Sequence, residues 1–282
     1  MASMRAAFAN RRAFTSYVRY AARRAAGYVA GQFCSGCGVM GRLLDSRLEW
    51  IELVEQWELS PEWAARFYAR EGHACEWCGA SLRSQQLAGA VVSVANAEWG
   101  TSANSLNKLC DDPRFRALSV AEINSAGNLH QFLSKLPNLK YSEFGGDVPG
   151  VPSESLEQLS YGDSSFDIVL TSDTLEHVPD VDTALGEIRR VLKPGGYHIF
   201  TVPVLMDRPA TRRRASMSGG ELVHHLPPSY HGMPGDGRAD LIVFNEFGAD
   251  FAATCERAGF DVRLDRSVRN QALVVFIARR AG

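Results

Sequence analysis

The sequence predicts an α/β protein: a doubly wound, mostly parallel sheet with a smaller helical module on its N-terminal side. Three observations carry the prediction. From about residue 115 short apolar runs alternate with amphipathic stretches, the texture of repeated strand–helix units. Before that point two motifs of one design, Cys34-Ser-Gly-Cys37-Gly and Cys75-Glu-Trp-Cys78-Gly, stand among helical patterns. Finally, 282 residues, 45% hydrophobic, 22% charged and with net charge −2, are enough for one large or two modest cores. No apolar stretch approaches the ~20 residues of a membrane span. The start, MASMRAAF, lacks the apolar core of a secretory signal, so a reducing cytoplasm is the expected compartment.

Taken in order, residues 1–30 read as a helix rich in Ala and Arg. Arg5, Arg11, Arg12, Arg19, Arg23, Arg24 and Arg42 all precede the first acid, Asp45. Two readings stay open: an amphipathic helix packed on the domain with its arginines in water, or a segment that touches RNA or a membrane surface. Ser60-Pro61-Glu62 is a strong helix start, with serine as N-cap, proline in the first turn and an acid at the positive end of the dipole.

Two thiolates three positions apart grip a metal from a tight turn, and the glycine after the second cysteine permits the positive φ that such a turn needs. Two such knuckles supply the four sulfurs of a closed tetrahedral zinc site, so Cys34, Cys37, Cys75 and Cys78 are the expected structural ligands. Cys110 and Cys255 stand alone and read as packing.

Beyond residue 112 the pattern gives strands at 117–123, 139–143, 167–171 and 197–202, helices at 127–136, 180–192 and 245–258, and closing strands at 261–265 and 272–278. In such a sheet, ligands bind at the carboxyl ends of the strands. One of these, VAEINSAGNL at 120–129, is a strand and loop where nucleotide-binding enzymes carry two or three glycines; only Gly127 is present.

Residues 160–204, SYGDSSFDIVLTSDTLEHVPDVDTALGEIRRVLKPGGYHIFTVPV, carry the most specific signal. An acidic turn at Asp163 leads to Phe166-Asp167, a buried strand, the pair Glu176-His177, a helix ending in Arg-Val-Leu-Lys-Pro-Gly-Gly, and the next strand. This order resembles the class I S-adenosylmethionine-dependent methyltransferases (methyltransferase type 11-like), in the subfamily related to ubiquinone and menaquinone methylases. The resemblance implies a Rossmann-like seven-stranded sheet over 113–282, with 1–112 as the zinc-binding module. It also implies S-adenosylmethionine as methyl donor. Donor contacts fall on Glu122, Asn124 and Gly127 of the first loop, and on Glu143 at the second strand, with Asp147 competing. Ser155 or the backbone near Leu156 stands near the adenine, with Glu154 as alternative, and Thr171 and Asp173 follow the buried strand. The first loop departs from the family in lacking glycines; Asn and Ser make turn hydrogen bonds of their own, and the donor has no pyrophosphate to cradle.

Residues 203–244 have little periodicity, and a long loop in a compact enzyme is usually functional. In the family, insertions here cover the acceptor. This one holds His224, His225, Tyr230 and His231, and its His-Leu-Pro-Pro-x-Tyr-His-Gly run is similar to a segment of sequences from bacterial sugar and natural-product clusters. An oxygen or amine acceptor must lose a proton, work that suits histidine at neutral pH. His177 and His231 are the leading candidates, with His225 and Tyr230 beside them. The expected activity is O- or N-methylation of a small molecule. The competing readings are an RNA base methyltransferase with a zinc module, disfavoured by the slightly acidic charge, and a non-catalytic binding protein of the same fold.

Overall fold

The computed structural model of the chain describes residues 32–45, 51–145, 148–230 and 241–282. The expected N-terminal helix, Asp147 and His231 lie outside them.

Six strands form the central sheet: β1 (Val120–Ile123), β2 (Leu139–Ser142), β3 (Phe166–Ser172), β4 (Leu192–Thr201), β5 (Phe260–Arg266) and β6 (Val274–Arg280). Their spatial order is β5-β6-β4-β3-β1-β2. β2, β1, β3 and β4 run parallel, while β6 is antiparallel to both β4 and β5. All four residues of β1 are buried, as expected of a parallel strand covered on both faces.

The expectation of seven strands is corrected to six among the described residues. Between β2 and β3 the chain touches the sheet edge through a single parallel bridge, Glu143 to Ser153. Glu143 N–H donates to the Pro152 carbonyl at 3.0 Å, and Glu154 N–H donates to the Glu143 carbonyl at 3.0 Å. Pro149 and Pro152 have no N–H to extend this ladder, so the seventh strand shrinks to one residue pair.

Helices cover both faces. α1 (Pro61–Gly72) starts as the sequence indicates: Ser60 Oγ accepts from Trp63 N–H at 3.3 Å, with Pro61 in the first turn. It packs on α2 (Leu82–Glu98), which lies across β4 and β6. One core therefore joins the cysteine knuckles, α2 and one sheet face, including Leu87, Val91, Ile168, Ile199 and Ile277. The opposite face is covered by α3 (Val181–Val191) and α4 (Phe251–Arg257), around Ile188, Phe200, Phe251 and Phe276. α3 is capped by Asp180, which accepts from Thr183 N–H at 3.0 Å. At its other end Arg190 donates to the carbonyls of Leu159 and Tyr161.

Further boundaries differ from expectation: β4, expected from residue 197, begins at Leu192, and β6, expected from 272, begins at Val274. The first strand starts at Val120 because Asp112 caps a helical turn, Pro113–Arg116, ahead of it. The helix at 127–136 is a 3-10 turn (Gly127–Leu129) and a short helix (His130–Leu133), closing before Pro137, which disfavours helix at the preceding residue. The helix at 245–258 starts only at Phe251, and Asn245–Gly248 is a strand, parallel to Val204–Leu205 and antiparallel to Arg212–Arg213. Its polar side chains have buried partners elsewhere in the chain: Asn245 donates to the Val178 carbonyl, and the Glu246 carboxylate takes Arg208, Arg212 and Arg214. Buried pairings of this kind override a helical pattern. No helix among the described residues is long and apolar enough to cross a membrane.

Candidate functional site at the carboxyl edge of the sheet

The parallel strands end together, so the residues that follow them share one edge. After β1 the chain turns sharply. Asn124 has φ +57°, a left-handed conformation that asparagine tolerates better than most residues, and its Oδ1 accepts from Phe144 N–H at 2.8 Å. Ser125 Oγ accepts from Gly127 N–H at 3.1 Å. Gly127 has φ +62°, and a Cβ there would meet nothing within 4 Å, so the loop borders open space.

Glu122, fully buried, holds this loop from below. Its Oε1 accepts from Ala126 N–H at 2.8 Å, and its Oε2 lies 2.7 Å from His130 Nδ1. That carboxylate raises the His130 pKa above the ordinary histidine value. At the end of β2, Glu143 Oε1 accepts from Ser125 N–H at 3.1 Å and from the Tyr141 hydroxyl. Tyr141 in turn lies against the His130 ring. The first loop and the second strand are thus tied through two carboxylates, one imidazole and one phenol.

After β3 comes a dense charged group. Arg70, from α1, is 1% exposed and grips Asp173 with both Nη atoms, at 2.6 and 2.7 Å. Arg83, from α2, meets Glu71 at 3.0 and 3.1 Å and Asp173 at 3.2 Å. Burial pushes the Asp173 carboxyl up, but the two guanidiniums outweigh it and hold the group well below the usual carboxylate range. Glu176, 0% exposed, has no hydrogen-bond partner for either oxygen among the described residues. Burial, and then the Asp173 charge, raise its pKa well above normal, which favours the neutral acid. Arg70 and Arg83 face the carboxylates of Glu71 and Asp173.

His177 Nδ1 faces the Ile242 carbonyl at 2.7 Å, so the proton sits on Nδ1 and Nε2 is an acceptor. Nε2 lies 3.8 Å from Glu176 Oε1. Burial lowers the His177 pKa and keeps the ring neutral.

The other expected residues have partners of their own. Thr171 is buried and turned toward β4, its hydroxyl 2.9 Å from His198 Nε2. Ser155 Oγ accepts from Glu157 N–H at 3.3 Å, Leu156 is buried, and the Glu154 carboxylate turns in to accept from Ser160 N–H at 2.8 Å. His225 follows an exposed hairpin, Ala215–Ser218 with Glu221–His224, and its Nε2 is 2.8 Å from Ser216 Oγ. Tyr230 is 39% exposed and bridges to Ile242, the residue that receives His177.

The cysteine motifs fold into two like turns. Gly38 and Gly79 have φ +81° and +71°, and each donates its N–H to the carbonyl of the motif's first cysteine, at 2.8 and 2.9 Å. The four sulfurs lie within 4.8 Å of one another, with Cys34–Cys78 at 3.6 Å and Cys37–Cys75 at 3.9 Å. A zinc tetrahedron with bonds of ~2.3 Å has sulfur–sulfur edges of ~3.8 Å, so this donor set fits zinc. Cys110 and Cys255 are buried apart from it, their thiols pushed up to about 12 by burial.

Sequence reasoning missed Arg70, Arg83, His130 and Tyr141. Arg70 left a readable signal: Trp63, Phe67 and Arg70 share one helical stripe, so a charge sits on the apolar face and requires a buried partner. His130 and Tyr141 left none, since their partnership depends on the loop between them.

Residues 135–200 match the family described as a methyltransferase domain. The chain is 27% identical over 156 residues to the ubiquinone biosynthesis O-methyltransferase of Albidiferax ferrireducens, a match covering 55% of this chain and 53% of that protein. The chain thus spans about half the length of that relative. It is 30% identical over 112 residues to the ubiquinone/menaquinone biosynthesis C-methyltransferase of Brucella anthropi, covering 38% and 41% of the two chains. Among solved structures, the S-adenosylmethionine-bound amino pentose methyltransferase from Micromonospora echinaspora is 15% identical, with 68% of this chain and 97% of that one covered and a TM-score of 0.41.

Proposed function

We propose that this chain, which carries a methyltransferase domain, moves the methyl group of S-adenosylmethionine to an oxygen or nitrogen of a small molecule. The observation that carries the reading is the shared carboxyl edge, where Glu122 stands near the end of β1 and Asn124, Gly127, Glu143, Asp173 and His177 follow β1, β2 and β3. In this reading residues 113–282 form the catalytic domain, 203–244 cover the acceptor, and 1–112 form a module held by zinc on Cys34, Cys37, Cys75 and Cys78.

When bound, the donor supplies a methyl group already activated by the sulfonium. The chain's own residues hold, orient and deprotonate. Glu122 fixes the turn through the Ala126 amide, and Gly127 leaves room beside it. Glu143 is the carboxylate for the ribose hydroxyls, with Leu156 and Ser155 toward the adenine. Asp173, pinned by Arg70, fixes the backbone ahead of His177. His177 Nε2, neutral and with its proton held on the opposite nitrogen, is the base for the acceptor. Tyr230, with His225 and His231, would line or orient the acceptor.

Calorimetry with S-adenosylhomocysteine tests the donor; measurable heat at micromolar to millimolar ligand is expected. Isotope-labelled donor given to cell extract, followed by separation of small molecules, protein and RNA, tests the acceptor class. Label in the small-molecule fraction is expected; label in RNA returns the RNA base reading. Metal analysis should find about one zinc per chain.

A further inference from the structure

The second cysteine knuckle and the donor loop are in direct contact. The carbonyl of Cys78 accepts two side-chain amides from the turn that follows Gly127: Asn128 Nδ2 at 3.1 Å and Gln131 Nε2 at 3.1 Å. Gln131 Nε2 also donates to the Asn128 carbonyl at 2.6 Å, which locks the two amides together. Asn128 lies so close over Gly79 that a Cβ at that glycine would fall 2.1 Å from Asn128 Nδ2. Between these two side chains, Leu129 is buried in one core with Cys34 and Cys75, and a Cβ on Gly36 would touch its Cδ2 at 3.5 Å. The first knuckle is fastened as well, since the Ser35 and Gly36 carbonyls accept from Leu106 and Asn107 N–H at 2.8 and 2.9 Å.

A knuckle carbonyl has a fixed direction only while its cysteines are held together. Without a metal nothing bonds the four sulfurs to one another, and the turns, with the Cys78 carbonyl, lose that constraint. The turn it supports is also held by Glu122, through Ala126 N–H and His130. The donor loop is therefore suspended between two anchors, a carboxylate beneath the sheet edge and a cysteine knuckle behind it.

We infer that Asn128 and Gln131 are positioning residues that couple the four-cysteine metal centre to the methyl-donor loop, so that metal occupancy and donor binding strengthen one another. The inference rests on the donor reading given above and adds to it a second role for the metal. The zinc supports the donor loop itself as well as the N-terminal module. Because coupling is reciprocal at equilibrium, the donor must tighten zinc by the factor by which zinc tightens the donor.

The test uses the full zinc-loaded chain and a chromophoric chelator in equilibrium competition, with and without saturating S-adenosylhomocysteine. In the wild-type protein the ligand should raise zinc affinity about tenfold, the size expected of two net hydrogen bonds. Asn128→Ala/Gln131→Ala should keep one zinc per chain and an unchanged far-UV spectrum, yet lose that increase. It should also bind the ligand about tenfold more weakly in calorimetry. A purely structural role for the metal would leave zinc affinity indifferent to ligand. If the ligand binds the wild type and leaves zinc affinity unchanged, the inference is overturned. If the double variant keeps the full increase, the route through these two amides is overturned. Absence of ligand heat on the wild-type protein is a separate result, which refutes the donor reading and removes this inference with it.

Discussion

Replacing Arg70 by methionine probes the buried ion pair on which the proposed acceptor edge depends. Arg70 is 1% exposed and bidentate on Asp173, and Asp173 has Arg83 Nε 3.2 Å away. Removing one partner of a buried pair costs about 3–5 kcal/mol, because the other charge stays buried. Arg83 remains beside Asp173, which favours the lower end, about 3 kcal/mol. For a domain of this size, that corresponds to a fall in Tm of roughly 6–12 °C. Urea denaturation at constant protein concentration gives the energy directly. The sign with pH is also fixed. Asp173 has a lowered folded pKa, so its contribution is present above the ordinary aspartate value near ~3.9 and is lost as pH falls through the folded value. The gap between wild type and Arg70→Met should be flat from about pH 5 to 8 and close only in stronger acid. A loss below about 1 kcal/mol, the range of exposed pairs, would refute the reasoning. So would a double-mutant cycle with Asp173→Asn that shows no coupling.

Three more outcomes follow from the same edge. Glu176→Gln swaps a neutral acid for a neutral amide of equal shape. The raised carboxyl pKa means wild-type stability declines from about pH 4.3 upward toward the folded pKa, so the Gln variant should gain on it as pH rises, and a pH-independent difference would sink the assignment. His130→Gln behaves in the opposite sense to a buried histidine. The wild-type advantage should be full below the ordinary histidine pKa of about 6.5 and vanish as pH rises through the raised folded value, measured by urea melts from pH 5.5 to 9. Glu143→Ala should weaken S-adenosylhomocysteine binding by about 10- to 100-fold, from loss of charged hydrogen bonds worth ~1.5–3 kcal/mol, and unchanged calorimetric affinity would displace the residue from the donor site.

The sequence made the sheet legible where each strand is followed by its own punctuation. The run from Phe166 to Thr201 contains a buried strand, a capped helix and a Lys-Pro-Gly-Gly segment, and the structure has the strand and the helix where expected, with Lys-Pro-Gly-Gly already inside the next strand. Legibility failed where a partner far along the chain decides the local state. Asn245–Gly248 carries a helical pattern yet forms a strand, because Glu246 meets three arginines from 208–214 and Asn245 meets Val178. The site divides in the same way. Glu122, Glu143 and Glu176-His177 are readable from their places after strands, whereas the ties from Arg70 and Arg83 come from helices about 90–100 residues earlier and needed coordinates to find.

The truncated seventh strand has a consequence for how molecules of this protein meet one another. An open sheet margin offers a row of free amides and carbonyls on which a neighbour's strand can grow. Here β2 is only four residues long with Lys140 exposed, and beyond it Pro152 interrupts the ladder after a single step. The opposite margin, β5, alternates Asp261, Arg263 and Asp265 along its length. Both margins thus discourage strand addition and the fibrous association that begins with it.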